Sequence, residues 1–197
     1  DYGMGNIHSV QKALQNCGAE AIVTNQPEKI ASCAKAVLPG VGAFDDAMRE
    51  LEKQDLIPAI RQHLKENKPF LGICLGMQLL FEQSAEAKEA RGLAVFKGAV
   101  KKFPEQKQLK VPHMGWNTLS KVTSECPLLR GIPDESFVYF CHSYYPEPED
   151  KNIIASVTDY GFNFASMVCK DNIFGVQFHP EKSQTIGLQI LRNFVEC

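Results

Sequence analysis

The chain has 197 residues, a formal net charge of −2 and 44% hydrophobic residues. This length suits one domain with a single core, which we expect over residues 1–197. The balanced charge provides no basic surface for nucleic acid, and no apolar run is long enough to predict a membrane span.

Seven cysteines are scattered along the chain. An odd, irregular set is typical of reduced thiols, so we expect a cytoplasmic protein without a disulfide framework. None of the cysteines has the spacing of a metal site, and we expect neither a metal nor another cofactor. The chain opens at Asp1 without a methionine or a preceding apolar strand, so we expect that a few N-terminal residues are missing.

Hydrophobic periodicity predicts alternating strands and helices. Ile7, Val10 and Leu14 recur at helical spacing, and Gly18 ends that helix. The further predicted elements are strands at Ala21–Thr24 and Ala36–Leu38, helices near Ala43–Leu51 and Leu56–Lys65, a strand from Phe70, a polar loop at Lys101–Lys110, strands at Phe137–Cys141, Ile153–Val157, Phe164–Cys169 and Ile173–Phe178, and a helix at Ser183–Val195. This order predicts an α/β sandwich with a mostly parallel central sheet, in which functional residues gather at the carboxyl ends of strands.

The segment from Phe70 to Gln78 predicts a buried strand that runs directly into a helix, with Cys74 at the junction. A side chain on so tight a turn has a strained backbone and crowds the positions two before and two after it. Gly72 and Gly76 occupy both positions and lack a Cβ. The helix would direct free amides and its dipole at the sulfur, which favours the thiolate. We therefore interpret Cys74 as a nucleophile rather than a structural core cysteine.

A candidate base follows a second predicted strand. His179 and Glu181 are two residues apart in an extended segment, so they face the same side, with Pro180 fixing the backbone between them. Together with Cys74 they provide a Cys-His-Glu triad, in which the acid orients the imidazole. On its own, a His-Pro-Glu tripeptide is typical of a solvated loop.

With these two segments the chain resembles the class I, triad-type glutamine amidotransferases. Further stretches resemble the glutaminase subunits of imidazole glycerol phosphate synthases, which act in histidine biosynthesis; these stretches are Asp1–Asn6, Pro39–Gly42, Pro112–Asn117, His142–Tyr144 and Lys182–Ser183. The resemblance covers essentially the whole chain. It implies the three-layer sandwich with a nucleophile elbow of that family, and hydrolysis of L-glutamine to glutamate and ammonia through a γ-glutamyl thioester.

The resemblance also implies roles for residues around the thiol. The oxyanion hole would use the glycine-flanked peptide of Gly40 and Val41 together with the amide of Leu75. The residues that would bind glutamine are Gly42, Gln78, Glu86, His142, Ser143 and Tyr144, with Glu86 pairing with the α-ammonium group. Without the resemblance, a solvated Glu86 and a Tyr144 packed in a strand are the simpler interpretations.

The same resemblance implies a partner, a cyclase subunit with a (β/α)₈ barrel in a heterodimer. Ammonia would pass through that barrel to the phosphoribosyl-formimino carboxamide substrate, giving imidazole glycerol phosphate and an aminoimidazole carboxamide ribotide. The implied interface residues are Asn6, Pro112, Met114, Trp116, Tyr139 and Lys182. An apolar patch around Trp116 suits an interface, and a core position for this tryptophan is the alternative.

Two other functions stay open at this point. A free-standing thiol hydrolase or peptidase on the same fold would turn over without a partner, whereas a silent binding subunit would normally have a broken triad. Gly3 and Gly5 resemble the start of a dinucleotide fingerprint, but His8 stands at the third glycine position, so no nucleotide site is expected. His63 and His113 have no partner in the sequence that would make either of them a base, and they are assigned no chemistry.

Overall fold

The computed structural model describes residues 1–104 and 109–197. Its helices are α1 (Ile7–Asn16), α2 (Pro27–Ser32), α3 (Phe44–Lys53), α4 (Leu56–Lys65), α5 (Leu75–Gln78) and α6 (Gln184–Glu196). Its strands are β1 (Ala36–Gly40), β2 (Phe70–Cys74), β3 (Phe81–Ser84), β4 (Phe96–Lys102), β5 (His113–Lys121), β6 (Ser136–His142), β7 (Tyr144–Pro148), β8 (Ile154–Asp159), β9 (Asn163–Lys170) and β10 (Ile173–Val176). Single 3₁₀ turns lie at Pro127–Leu129, Lys151–Ile153 and Pro180–Lys182.

The central sheet has seven strands in the order β1-β2-β10-β9-β8-β5-β6. Its first three strands are parallel, as predicted. The other four pairings are antiparallel, so the sheet is mixed and the expectation of a mostly parallel sheet holds only for the half that carries the cysteine. A second, three-stranded sheet with the order β3-β4-β7 was not predicted.

Helices cover both faces of the parallel half, which confirms the three-layer α/β arrangement. Buried side chains of α1 and α6 share one core with Leu71 and Ile73 of β2. Buried side chains of α3 and α4 share a second core with Phe70. Because neighbouring residues of a strand point to opposite faces, β2 contributes to both cores, and all five of its residues are buried.

Two predicted elements are wrong in their extent. Ala21–Thr24 forms no strand, and the carbonyl group of Ala21 accepts from the Gln11 side chain instead of from a neighbouring strand. A cavity of about 630 Å³ is lined by this segment and by β1. The predicted loop at Lys101–Lys110 begins later than expected, since β4 runs to Lys102; residues 105–108 lie outside the described residues.

The register of the parallel strands brings their carboxyl ends to one edge. Gly40, the last residue of β1, pairs with Cys74, the last residue of β2. Val176 at the end of β10 pairs with Ile73, so the segment that contains His179 starts at the same edge. This placement confirms that the predicted nucleophile and base both follow strands of the parallel half.

Candidate active site

Cys74 has the strained backbone that the sequence predicts, with φ 54° and ψ −110°. The structure shows that the flanking positions must be glycine because neither has space for a Cβ. A Cβ on Gly72 would lie 2.6 Å from the carbonyl oxygen of Gly76, and a Cβ on Gly76 would lie 1.8 Å from the carbonyl oxygen of Leu38. Strand β2, the turn after it and β1 therefore pack backbone against backbone, which fixes the cysteine at the junction.

The helix after the cysteine is shorter than expected. α5 spans only Leu75–Gln78, and the chain enters β3 at Phe81. Because a helix dipole is the sum of aligned peptide dipoles, one turn adds less to the stability of a thiolate than the predicted amphipathic helix would. The histidine is consequently the more important neighbour of the sulfur.

The three side chains of the predicted triad lie together. His179 Nδ1 donates to Glu181 Oε1 at 2.9 Å, and the two side chains are only 5% and 1% exposed. Burial lowers the pKa of His179, but hydrogen bonds to Cys74 and Glu181 and the charges of both residues outweigh it and raise that pKa to about 10. At neutral pH this raised pKa favours a positively charged imidazolium on His179, between the Cys74 sulfur and the Glu181 side chain.

Gln177 is a site residue that the sequence interpretation missed. Its side-chain Nε2 donates to Cys74 Sγ at 3.6 Å, and Gln78 Nε2 donates to Gln177 Oε1 at 3.0 Å. The signal was present, because Gln177 stands two residues before His179 and the same alternation that pairs His179 with Glu181 places it on that face. Gln78, which the resemblance places in the glutamine pocket, also donates to the carbonyl of Tyr144 at 3.0 Å.

The predicted oxyanion-hole residues are neighbours. A Cβ on Gly40 would lie 2.6 Å from the hydroxyl oxygen of Tyr2 and 3.0 Å from Leu75 Cβ, so only glycine fits between them. Val41 is 43% exposed, and Gly42 has a φ of +100° that disfavours other residues. The Gly40–Val41 peptide therefore lies at the end of β1, next to Leu75, whose backbone amide directly follows the cysteine.

Glu86 is not a solvated side chain. Its Oε2 accepts a hydrogen bond from the backbone amide of Phe44 at 2.9 Å, which satisfies a free donor at the start of α3. Burial raises the pKa of Glu86, the Phe44 bond opposes that shift, and the charges of Asp45 and Asp46 add to it. Ser143 is half-buried between β6 and β7, and its carbonyl oxygen accepts from Phe103.

His113 and His63, to which the sequence assigns no chemistry, both have hydrogen-bonding partners in the structure. His113 Nδ1 lies 2.9 Å from His142 Nε2, and His142 Nδ1 lies 2.8 Å from the carbonyl oxygen of Tyr144. Burial lowers the pKa of His113 to about 4 and that of His142 to about 3. His63 is fully buried, with its ring nitrogens facing the carbonyl oxygens of Ile30 and Pro69.

An exposed apolar surface covers the outward side of β5 and β6, which we call the outer β5–β6 face. Trp116 pairs across the strands with Tyr139, and their rings are 6.1 Å apart. Lys182 Nζ lies 5.7 Å from the centre of the Tyr139 ring. Met114 and Trp116 are 61% and 46% exposed, so the core alternative for this tryptophan is wrong. The sequence interpretation missed Phe137, which is 59% exposed on this face.

The other two residues of the implied interface, Asn6 and Pro112, are exposed; Asn6 immediately precedes α1. None of the helices within residues 1–104 and 109–197 is long and apolar enough to cross a membrane.

The model of the glutamine amidotransferase class-I family matches residues 1–197. The chain belongs to this family. Imidazole glycerol phosphate synthase subunit HisH of Acaryochloris marina is 50% identical over 197 residues, which is 100% of this chain and 92% of the relative. The subunit of the same name from Bacillus cereus strain G9842 is 52% identical over 194 residues, or 98% of this chain and 91% of the relative. Within the family, the chain therefore belongs with the HisH subunits.

Solved structures with low sequence identity have the same fold. A crystal structure of a glutamine amidotransferase superposes with a TM-score of 0.76 at 17% identity, covering 98% of this chain and 94% of the other. The glutaminase domain of Trypanosoma brucei CTPS, solved with bound acivicin, superposes with a TM-score of 0.68 at 16% identity, covering 96% and 88%. The class I glutamine amidotransferase fold predicted from the sequence is confirmed, and with the family membership the chain is a glutamine-hydrolysing enzyme.

Proposed function

We propose that the chain is the glutaminase subunit of an imidazole glycerol phosphate synthase, with Cys74, His179 and Glu181 as its catalytic triad. The observation that supports this most strongly is the strained elbow cysteine beside a histidine whose proton is retained by a buried carboxylate. One domain over residues 1–197 belongs to the same proposal, supported by the extent of the family match.

In the first half of the reaction, the Cys74 thiolate attacks the carboxamide carbon of glutamine. The tetrahedral intermediate collapses as His179 gives its proton to the departing nitrogen, the carbon–nitrogen bond breaks, and ammonia leaves. Cys74 is then a neutral thioester and His179 is a neutral imidazole. Gln177, which donates to the sulfur, supports the thiolate before the attack.

In the second half, His179 acts as a base. Acylation removes the thiolate charge that raises the pKa of His179, so the imidazole is now able to take a proton from water. The resulting hydroxide attacks the thioester, the carbon–sulfur bond breaks, and glutamate leaves. The thiolate and the imidazolium are restored, so one pair of groups serves both steps.

Negative charge develops on the carbonyl oxygen of the substrate in both steps, and hydrogen-bond donors are needed to stabilise it. We assign them to the Leu75 amide and to an amide of the Gly40–Val41 peptide, supported by the packing of Gly40 against Leu75. Glu86 would bind the α-ammonium group of glutamine while its second interaction, with the Phe44 amide, holds it in place. Gly42, Gln78, His142, Ser143 and Tyr144 complete the proposed pocket.

Ammonia released into bulk water would be lost, so the proposal includes delivery to a cyclase subunit with a (β/α)₈ barrel. The relatives are named as synthase subunits, and the outer β5–β6 face offers an exposed aromatic and cationic surface for such a partner. The cyclase would then form imidazole glycerol phosphate and the aminoimidazole carboxamide ribotide. A cytoplasmic location is supported by the cysteines, which form no disulfide.

Glutamate release tests the proposal. It is measured for the chain alone, with a cyclase subunit, and with the cyclase and imidazole glycerol phosphate. We expect slow turnover alone and a large increase in the full mixture. Cys74→Ala should abolish hydrolysis and keep complex formation, whereas Cys33→Ala, at a half-buried thiol elsewhere in the chain, should keep both. Glutaminase activity in Cys74→Ala would overturn the triad, and fast turnover by the isolated chain would favour the free-standing hydrolase.

A further inference from the structure

Two histidines that take no part in the bond-making steps, His113 and the pocket residue His142, form a pair behind the outer β5–β6 face. His113 on β5 and His142 on β6 are cross-strand partners, and their side chains point to the side of the strands opposite Trp116 and Tyr139. Both are buried, at 3% and 5% exposure. The pair therefore lies directly beneath the proposed partner surface.

Burial and the backbone carbonyl groups at both ends determine the protonation of this pair. Burial lowers the pKa of both rings, so both are neutral at pH 7. The Tyr144 carbonyl only accepts, so His142 Nδ1 carries the one hydrogen of its ring and Nε2 is the acceptor. His113 Nδ1, 2.9 Å from that Nε2, must then be a donor. At the far end, Asn117 Nδ2 donates to the Asp159 carbonyl at 2.8 Å and to His113 Nε2 at 3.3 Å. Both imidazoles are consequently neutral and carry their hydrogen on Nδ1.

The same carbonyl continues the chain of hydrogen bonds to the nucleophile. Tyr144 O accepts from His142 and also from Gln78 Nε2, whose second hydrogen is donated to Gln177 Oε1. Gln177 Nε2 donates to Cys74 Sγ. Every step has one allowed donor and one allowed acceptor, so the two glutamine amides cannot flip without breaking a buried hydrogen bond.

Packing holds the outer imidazole in place. The His113 ring is stacked between Phe140, at 4.7 Å and 24°, and Tyr160, at 4.0 Å and 27°. The Tyr160 hydroxyl does not enter the chain of hydrogen bonds, since it donates to the Lys110 carbonyl at 2.7 Å. A variant of Tyr160 that lacks the hydroxyl thus alters the same aromatic cluster without affecting the hydrogen bonds between His113 and Cys74.

We propose that His113 and His142 are positioning residues of the glutaminase, a pair of fixed tautomer that holds the Tyr144 carbonyl, which in turn orients the Gln78 and Gln177 amides toward Cys74 Sγ. This inference rests on the proposed function for its kinetic consequence. The tautomers of the two histidines and the orientation of the Gln177 amide toward Cys74 do not depend on turnover, so they can be tested in the resting protein.

The first test needs no substitution. Side-chain ¹H–¹⁵N spectra of ¹⁵N-histidine-labelled protein at pH 7 distinguish the neutral Nδ1–H tautomer from the more common Nε2–H form and from the cation. We expect Nδ1–H for both His113 and His142. An Nε2–H form or a charged ring at either residue would overturn the proposal.

The second test interrupts the series of hydrogen bonds at His113, the residue farthest from Cys74. His113→Phe retains a ring between Phe140 and Tyr160 but removes the donor to His142, whereas His113→Asn retains a donor near the position of Nδ1. In the cyclase complex we expect His113→Phe to lower kcat roughly 10- to 100-fold with a smaller change in KM, and His113→Asn to recover part of the loss. Tyr160→Phe is the matched control and should keep the wild-type kcat.

Alkylation separates this inference from the proposed function. The rate at which iodoacetamide, a neutral reagent, modifies Cys74 is followed by peptide mass spectrometry, and no glutamine is needed. We expect a roughly 3- to 10-fold slower reaction in His113→Phe and the wild-type rate in Tyr160→Phe. Equal rates in all three proteins would overturn the positioning role even if glutaminase activity is found. An absence of glutaminase activity in the wild type, with the expected tautomers and alkylation rates, would instead reject the proposed function alone.

Discussion

The backbone carbonyl of Tyr139 accepts a hydrogen bond from the backbone amide of His179 at 2.9 Å. A second connection runs through Ser183, whose hydroxyl oxygen accepts from the Tyr139 amide at 3.0 Å while its hydroxyl donates to the His179 carbonyl at 2.6 Å. Tyr139 also contributes its ring to the outer β5–β6 face. One residue thus belongs both to the proposed partner surface and to the backbone support of the proposed base.

Ser183→Ala tests the importance of that support. It leaves the buried Tyr139 amide without its partner, at a cost of about 1 to 3 kcal/mol in the free energy of unfolding. Because the His179 carbonyl loses one of its two donors and keeps only the Lys182 amide at 3.0 Å, we expect kcat to fall on the order of tenfold in the cyclase complex, with little change in the KM for glutamine. Denaturant titration and steady-state glutaminase kinetics measure the two effects.

Ser136→Ala provides the matched control on the same strand. The Ser136 hydroxyl donates to the Pro133 carbonyl at 2.7 Å, and this residue is also buried, but this hydrogen bond does not involve the triad segment. We expect a similar loss of stability and an unchanged kcat. If both serine variants lose kcat equally, the effect of Ser183 is general destabilisation and not support of His179.

The ionisation of His179 should depend on the cysteine. Burial lowers its pKa, whereas hydrogen bonds and charges from Cys74 and Glu181 raise it to about 10. In Cys74→Ala the burial remains and one source of the opposing shift is lost, so we expect the pKa of His179 to fall. A histidine NMR titration from pH 5 to 11 measures both proteins. An unchanged pKa would mean that Glu181 alone retains the proton.

Glu181→Gln should separate the charge of the orienting residue from its shape. Glu181 Oε2 is buried and makes no hydrogen bond within the described residues, so His179 is the main partner of this carboxylate. The amide keeps an acceptor for Nδ1–H but cannot stabilise the imidazolium by charge. We expect kcat to fall on the order of 10²- to 10⁴-fold and glutamine affinity to change less. Wild-type turnover by this variant would remove Glu181 from the triad.

The sequence predicts best where backbone geometry imposes one residue type. The spacing of Gly72 and Gly76 around Cys74 predicts the elbow, because backbone atoms occupy the space that a Cβ would need. Strand β5 was missed for the opposite reason. Its inward positions include His113, Gly115 and Asn117 in place of aliphatic residues, so the alternation that normally indicates a half-buried strand is absent.

Contacts between segments that are distant in the sequence were the other features that could not be predicted. The pairing of His113 with His142 depends on the register of β5 against β6, which no local pattern states. Glu86 was interpreted as solvated without the resemblance, because its partner is a backbone amide at the start of α3 and every residue has such an amide. Chemistry that uses side chains at fixed local spacing was predicted, and chemistry that uses the main chain of another element was not.

We expect slow turnover by the isolated chain because the Gly40–Val41 peptide turns its amide toward the oxyanion only in the active complex. This gating can be tested at Gly42 more cleanly than at Gly40. A side chain on Gly40 would collide with Tyr2 and Leu75, so a variant there would disturb packing as well as the peptide. Gly42 has a φ of +100°, and a Cβ there meets only the flexible end of Met4, at 2.8 Å. Gly18 has a φ of +89° in open space and offers a control for backbone strain alone.

We expect Gly42→Ala to restrict the rotation of the nearby Gly40–Val41 peptide and to leave its amide poorly aimed at the oxyanion. One ordered donor is worth about 3 to 4 kcal/mol in the transition state, so the rate stimulated by the cyclase and imidazole glycerol phosphate should fall roughly 10²-fold or more. Gly18→Ala carries a comparable backbone cost of about 1 to 2 kcal/mol but should keep the full stimulation. Glutamate release and complex formation are measured for both variants at equal protein concentration. Full stimulation in Gly42→Ala would show that the peptide does not need to turn, because alanine at this φ would then support the same active geometry as glycine.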